Sequence, residues 1–261
     1  HMGSAVVQGA LWGAAAEDWA QLTESTSTPI YEAVFDAMGV GPGVRLLDAG
    51  CGAGMAMQLA QKRGATVTGF DASAGLLAVA RRRLPDARFD QGDLETLPYP
   101  DDSFDAITAF NSVQYAADPV AALRELKRVA GPGGQVAAVT WAEPERCEMR
   151  VVLAALGALL PPPPPGAGGP FALSAPGRLE ELLAAAGLTP WRTGEVPAPF
   201  IFADLDTAVR ANLASGPARR AIEHAGRDTT EATLREALAG GRKADGTIRH
   251  DNAFIYVIAT G

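Results

Sequence analysis

Short, largely apolar runs alternate with longer amphipathic stretches through the first half of this chain. Val44 to Leu47, Thr66 to Phe70, Ala87 to Asp90, Phe104 to Phe110 and Gln135 to Trp141 read as strands. Short strands with apolar residues on both faces belong to parallel sheets covered on both sides. Between them lie helical patterns. Residues 10–38 read as helical, anchored by Trp12, Trp19, Leu22, Tyr31, Val34 and Phe35, and Gly39 to Gly43 breaks that pattern. Met55 to Arg63 is a helix stopped by Gly64, and Ser73 caps a helix that runs to Leu84, just before Pro85. Asp118-Pro119 is an N-cap followed by proline at the first helical position, and that helix runs to Ala130. Gly131-Pro132-Gly133-Gly134 then turns the chain into the next strand. Strands and helices alternating at this spacing predict βαβ units in a doubly wound, mostly parallel sheet with right-handed crossovers.

After Trp141 the alternation stops. An apolar helical stretch, Val151 to Leu160, leads into the run Pro161 to Pro165, which reads as a rigid extended connector. Arg178 to Ala186 is a helix closed by Gly187, and residues 190–202 carry a strand broken by Pro197 and Pro199. Asp204 to Gly240 is mostly helical with a break near Ser215-Gly216-Pro217, and Asn252 to Thr260 is a last strand. Residues 142–175 and 204–245 are expected to form lid material over the strand ends. The apolar positions Leu153, Leu156, Leu159, Leu160, Phe171, Phe200 and Phe202 give that lid a greasy inner face. The chain therefore divides into a helical cap (1–43), a sheet-forming core (44–141), and lid insertions plus C-terminal strands completing the sheet (142–261).

The 261 residues fit one α/β domain with an insertion, or one and a half domains, enough to bury about 70–75% of the unfolded surface in one core. The net charge of −8 and the lack of a basic face argue against nucleic acid as a partner. The one basic cluster, Arg81-Arg82-Arg83, reads as a solvated helix end beside the negative pole of the helix dipole. Cys51 and Cys147 have neither metal-ligand spacing nor a disulfide framework, so no metal is expected and a reducing cytoplasm is. No apolar run approaches the ~18–20 residues of a membrane span. His1-Met2-Gly3-Ser4 reads as a cloning remnant. The expected partner is a small molecule, met by a monomer or homodimer.

The chemistry concentrates at strand ends. Leu46-Leu47-Asp48-Ala49-Gly50-Cys51-Gly52-Ala53-Gly54 is an apolar strand ending in a carboxylate, then a glycine loop, then a helix. Asp71 ends the next strand and Asp93 follows the one after. Ligands of such sheets sit outside the carboxyl ends of the strands, so Gly50 to Gly54, Asp71, Asp93 and Asn111 should converge on one cleft. Glycines let a polar ligand approach bare backbone, and a carboxylate on the second strand can accept both hydroxyls of a ribose. Two nucleoside types compete. A dinucleotide loop carries Gly-x-Gly-x-x-Gly. Here the pattern is Gly50-x-Gly52-x-Gly54 preceded by Asp48, which would repel a pyrophosphate. A cationic nucleoside such as S-adenosylmethionine tolerates Asp48, and loop amides at a helix N-terminus can hold its carboxylate.

From about Trp12 to Trp141 the chain resembles the class I S-adenosylmethionine-dependent methyltransferases, in the bacterial small-molecule group related to ubiquinone and menaquinone biosynthesis. Five motifs carry the likeness in order: Leu47 to Gly54, Gly69-Phe70-Asp71-Ala72-Ser73, Gln91 to Tyr99, Phe104-Asp105-Ala106-Ile107, and Gly131-Pro132-Gly133-Gly134. The resemblance implies an α/β, Rossmann-like, mostly parallel seven-stranded sheet with helical lid insertions. It implies that Gly50, Cys51, Gly52 and Gly54, with Asp48, line the methionine part of the cofactor. Asp71, beside Ala72, would hold the ribose. Asp93 would meet the adenine amine, with Leu94 against the ring, and Phe110, Asn111 and Ser112 would line the cleft by the sulfonium. Trp12 and Trp19 resemble aromatics that close over the cofactor in relatives; the alternative for both is plain helix packing. The product would be S-adenosylhomocysteine.

Transfer by in-line displacement requires an acceptor atom held about 3–3.5 Å from the methyl, with water excluded. A hydroxyl acceptor gains from a general base. The sequence names no clear base: His224, in the expected lid helix, is either a solvated surface residue or a substrate-facing base, Tyr115 either hydrogen-bonds an acceptor or covers the cofactor, and His250 reads as a turn residue. Four readings remain open on sequence: methyl transfer to a small apolar molecule, a cyclisation or rearrangement that keeps the cofactor, a nicotinamide-dependent oxidation, and a cofactor-binding regulator. Asp48 and the missing Tyr-x-x-x-Lys pair disfavour the third.

Overall fold

The computed structural model of the chain describes residues 4–13, 15–165 and 169–261. Its strands are β1 (Arg45–Ala49), β2 (Thr66–Asp71), β3 (Arg88–Gln91), β4 (Ala106–Phe110), β5 (Gln135–Trp141), β6 (Thr189–Pro197), β7 (Phe200–Phe202), β8 (Ile248–His250) and β9 (Ala253–Thr260). Seven of them form one sheet in the order β3-β2-β1-β4-β5-β9-β6, and β7 pairs with β8 in a second, two-stranded sheet. The first five strands are parallel to one another, while β9 runs antiparallel between β5 and β6. This is the mostly parallel seven-stranded sheet expected from the motifs.

The central strands β1, β4, β5 and β9 are largely apolar on both faces because both faces are covered. In β1, Leu46 enters the core on one side and its neighbour Leu47 the core on the other. In β9, Phe254, Tyr256 and Ile258 face the first core, while Val257 and Ala259 face the second. This is the period-two alternation of a strand. The covering helices among the first seven are α1 (Ala5–Gly13), α2 (Ala16–Asp18), α3 (Thr28–Met38), α4 (Met55–Lys62), α5 (Ala74–Arg83), α6 (Pro119–Ala130) and α7 (Arg150–Gly157). They continue with α8 (Arg178–Ala185), α9 (Leu205–Leu213), α10 (Gly216–Ala225) and α11 (Arg227–Ala239). Their expected caps are in place. The Ser73 hydroxyl accepts from Leu76 N at 3.1 Å, and Asp118 Oδ1 accepts from Ala121 N at 3.0 Å. The break between α9 and α10 falls at Ser215, whose hydroxyl accepts from Ala218 N.

Residues 10–38 are not one helix. After α2 the chain widens into a π-turn (Trp19–Thr23), tightens into a 3-10 turn (Glu24–Ser27) and only then enters α3. The hydroxyl-rich stretch Thr23 to Thr28 explains this, because such side chains compete for backbone partners. Thr26 Oγ1 donates to Thr23 O, and Thr23 Oγ1 reaches Ala211 O in α9 at 3.1 Å. The strand expected over 190–202 is broken at Pro197 and Pro199 as the sequence predicts: the edge strand β6 ends at Pro197, and β7 begins at Phe200 in the other sheet. Pro190 sits where the pairing register slips, an irregularity where proline is tolerated. His250 is not a turn residue: it is buried on β8, paired across from Phe200. The expected helix Val151 to Leu160 ends at Gly157, and Pro161 to Pro165 are exposed without regular structure. Residues 1–3 of the expected cloning remnant and 166–168 of the expected lid lie outside the described residues. Among the described residues no helix is long and apolar enough to cross a membrane.

Candidate active site

The loops after β1, β2, β3 and β4 open into one cleft at the carboxyl ends of the strands. Its floor is the glycine loop. Gly50 has φ +89°, and a Cβ there would stand 2.5 Å from Ser112 Cβ, so the loop can pass Ser112 only as glycine. The Ser112 hydroxyl in turn donates to Ala49 O at 2.8 Å. Gly50 N and Cys51 N both donate to Phe70 O, and Gly52 N donates to Asp71 Oδ2 at 2.9 Å. Asp71 Oδ1 accepts from Ser73 N at 2.8 Å. One carboxylate therefore braces the glycine loop and the entry to α5. Gly54 departs from its expected role. It does not line the cleft; it caps α4 with φ +89°, and a Cβ there would lie 3.2 Å from Ala80 Cβ, so it serves the close approach of α4 to α5.

The other expected cofactor residues meet in the cleft. Asp48, Cys51, Gly52, Asp71, Ala72, Asp93, Leu94, Phe110, Asn111 and Ser112 all line it, as do Trp19 and Tyr115. Asp48 is 2% exposed and accepts the Thr108 hydroxyl at 2.8 Å. Burial pushes its carboxyl up to about 7, and the negative neighbours Asp71 and Glu24 push the same way. Burial also raises Asp71, against the N–H groups it accepts. Asp93 Oδ1 accepts from Glu95 N at 2.9 Å. Asn111 holds a left-handed φ of +50° at the end of β4, a conformation asparagine tolerates better than most side chains. Burial raises the Tyr115 phenol, so it keeps its proton at neutral pH and can donate a hydrogen bond.

Trp12 and Trp19 pack on each other and also reach the cleft. Their rings meet edge to face at 4.8 Å, Trp12 reaches Tyr115 at 6.0 Å, and both line the cleft. Gly216 at the start of α10 makes room for them, because a Cβ there would be 2.7 Å from the Trp12 ring. At the far end the cleft turns apolar, lined by Trp141, Met149, Leu153, Leu156, Phe200 and Phe254. Of the seven expected lid positions, Leu153, Leu156 and Phe200 thus face the cleft. Phe171 packs on Trp141 at 5.5 Å, and Phe202 is buried in the core. His224 is not brought to the site: it is exposed on α10 and does not line the cleft.

Sequence reasoning missed Glu24. It is 3% exposed, lines the cleft, accepts from Met55 N at the start of α4, and pairs with Arg83 at 3.0 Å. Arg83 also donates to Ala53 O and Ala20 O, both at 3.0 Å. Of the basic run, Arg81 and Arg82 are exposed at the last turn of α5 as expected, and Arg83 alone is drawn inward. Arg83 ties the N-terminal segment to the glycine loop, Arg82 pairs with Glu17, and Arg81 donates to Phe89 O. Tyr31 was expected as a helix anchor; it also lines the cleft, with its ring 4.7 Å from Phe110.

The residues fit a cationic nucleoside on two observations. Asp48 is a buried carboxyl with, among the described residues, a donor on one oxygen only. Gly52, at φ +54°, leaves an opening in which a Cβ would find its nearest heavy atom, Trp19 Nε1, only at 4.0 Å. Among the described residues no group of three or more His, Cys, Asp or Glu stands close enough to hold a metal ion.

Residues 47–138 match the family model described as a methyltransferase domain. The demethylmenaquinone methyltransferase of Renibacterium salmoninarum is 38% identical over 119 residues, 46% of this chain and 50% of that protein. The malonyl-[acyl-carrier protein] O-methyltransferase of Serratia marcescens is 43% identical over 95 residues, covering 36% of this chain and 37% of that protein. The chain spans about half the length, or less, of the curated relatives it matches. Among solved structures, the [4+2]-cyclase SpnF aligns over 88% of this chain and 80% of its own, with a TM-score of 0.56 and 24% identity, a likeness of fold alone.

Proposed function

We propose that this chain transfers the methyl group of S-adenosylmethionine to a small, fairly apolar acceptor. One observation carries the reading: a single cleft runs from carboxylates and glycines at the strand ends to a chamber walled by Trp141, Met149, Leu153, Leu156, Phe200 and Phe254. A polar, cationic nucleoside suits the first end and a greasy acceptor the second. When bound, the cofactor supplies an electrophilic methyl on its sulfonium.

The protein's part is binding, orientation and exclusion of water. Asp71 is assigned to the ribose hydroxyls, each of its oxygens keeping a lone pair beyond its backbone N–H. Asp93 is assigned to the adenine amine, with Leu94 and Ala72 beside the ring and sugar. Asp48 and the Gly50-Cys51-Gly52 loop take the methionine part, and Phe110, Asn111 and Ser112 flank the sulfonium. Residues 1–43 act as the cap through Trp12 and Trp19. Residues 142–261 act as lid and complete the sheet. Tyr115 is suited to hydrogen-bond an acceptor oxygen through the proton it retains, and His224 has no part. Holding the acceptor in line in a dry chamber can supply much of the rate.

Calorimetric titration with S-adenosylhomocysteine, with NAD as control, tests the cofactor half. Binding in the micromolar range by the first and none by the second is the expected result; the reverse would overturn the reading. A screen of hydroxylated aromatic acceptors with radiolabelled cofactor then tests the transfer half.

A further inference from the structure

Three buried or half-buried carboxylates, Glu24, Asp48 and Asp71, line the cleft around the glycine loop, and the protein satisfies two of them. Asp71 accepts an N–H on each oxygen, from Gly52 and from Ser73. Glu24 accepts from Met55 N and pairs with Arg83. Asp48 has neither an N–H nor a cation. Its Oδ1 takes the Thr108 hydroxyl from β4, and its Oδ2 has no donor among the described residues. The groups that bear on it from the packed elements are negative or neutral: Asp71 at the end of β2, Glu24 on the 3-10 turn, the Tyr31 phenol on α3 and the Cys51 thiol of the glycine loop. The cation of this region, Arg83 on α5, is engaged by Glu24 and by two backbone carbonyls.

We propose that Asp48 is a specificity-determining residue that holds a proton in the free protein and surrenders it to a positively charged ligand, so that the cleft selects cationic nucleosides by proton exchange. The proposal rests on the cofactor reading above and deepens it. A buried carboxylate without a cation is costly, so the neutral acid is the stable form of an empty site. Burial, with the negative charges of Asp71 and Glu24 beside it, pushes this carboxyl up to about 7. In the exchange no covalent bond to carbon changes. The carboxyl proton leaves to solvent, and the ligand's ammonium or sulfonium takes its place beside the carboxylate. A neutral nucleoside of the same shape has no charge with which to drive that step. The cleft therefore ranks ligands by charge where shape alone would not.

The test is calorimetry of S-adenosylhomocysteine, which carries an ammonium, and of 5′-methylthioadenosine, which carries no cation. Each is titrated in two buffers of different ionisation enthalpy at about pH 6, where linkage exposes the proton count. The wild type is expected to release close to one proton with the first ligand and none with the second. Its affinity for the first should rise toward tenfold per unit of pH between about pH 5 and 7, and stay flat for the second. In Asp48→Asn, which keeps the shape and the Thr108 contact, the proton release should vanish. No release in the wild type, or equal release by 5′-methylthioadenosine or by Asp48→Asn, overturns the proposal. Carboxyl carbon NMR of the free protein gives an independent reading: the resonance lost in Asp48→Asn should titrate near neutrality, and titration in the ordinary carboxylate range also overturns it. Absence of any S-adenosylhomocysteine binding sinks the cofactor reading and this proposal with it, an outcome distinct from binding without proton release.

Discussion

Arg83 Nη1 donates to Glu24 Oε2 at 3.0 Å, joining residues 59 positions apart across one wall of the cleft. The Glu24 side chain is 4% exposed and the Arg83 side chain 22%. Removing one partner of a buried pair leaves the other uncompensated. Arg83→Met is expected to destabilise the protein by about 3 kcal/mol, measured by urea unfolding. Arg83→Lys, which keeps the charge, should recover part of that loss.

The Asp48 carboxyl makes stability depend on pH. Its folded value, about 7, lies well above the ordinary range of an aspartate carboxyl. The native state therefore binds the proton more tightly than the unfolded chain. The stability this confers is present below the unfolded value and is lost as pH rises through about 7. The ligand-free protein should melt higher at about pH 5 than at about pH 8, this one group contributing roughly 2.5 kcal/mol over that interval. Asp48→Asn should flatten that slope in a melting series.

Gly50→Ala meets two obstacles at once, a positive φ and the Ser112 side chain 2.5 Å from the new Cβ. Left-handed backbone costs about 1–2 kcal/mol for an ordinary residue, and overpacking adds about 1–3 kcal/mol. A loss in that combined range by chemical denaturation is expected, with S-adenosylhomocysteine binding abolished.

Asp71→Ala removes the carboxylate assigned to the ribose and the brace on Gly52 N. A hydrogen bond to a charged group is worth about 1.5–3 kcal/mol. Affinity for S-adenosylhomocysteine should fall roughly 10–150-fold in calorimetry. An unchanged affinity would contradict the assignment.

His224→Ala is expected to do nothing to the cleft, because the imidazole is exposed on α10 away from it. S-adenosylhomocysteine affinity and methyl transfer should stay within about twofold of wild type, as expected for a surface change.

What was legible in the sequence had local causes. Ser73 and Asp118 announced helix starts because a cap acts over three residues. The strand of each βα unit and the carboxylates at its end could be read for the same reason. Glu24 could not, because its two partners lie 31 and 59 residues away. Its one sequence signal is a lone acid in a hydroxyl-rich stretch. Gly54 shows the limit of a motif: Gly50, Gly52 and Gly54 all have positive φ, but only the first two face the cleft. The third serves helix packing, which spacing alone does not separate from ligand binding. His250 was misplaced because β8 is three residues long and owes its existence to a partner some fifty residues earlier.

The β9 strand, lodged between β5 and β6, has a consequence for how freely this architecture varies. The chain leaves the sheet at Trp141, returns at Thr189, leaves again at Pro197 and returns at Ala253. In polymer terms each excursion is a loop whose ends are already fixed by ladder hydrogen bonds. The entropy of closing such a loop grows only logarithmically, so doubling its length costs about 0.6 kcal/mol. A long insertion that alters the apolar chamber therefore weighs little on the sheet, whereas a shift of one residue in the glycine loop would move every group on the cleft floor. The 38% identity to the Renibacterium salmoninarum protein spans less than half of this chain, and the family match stops at residue 138, just before the first excursion begins.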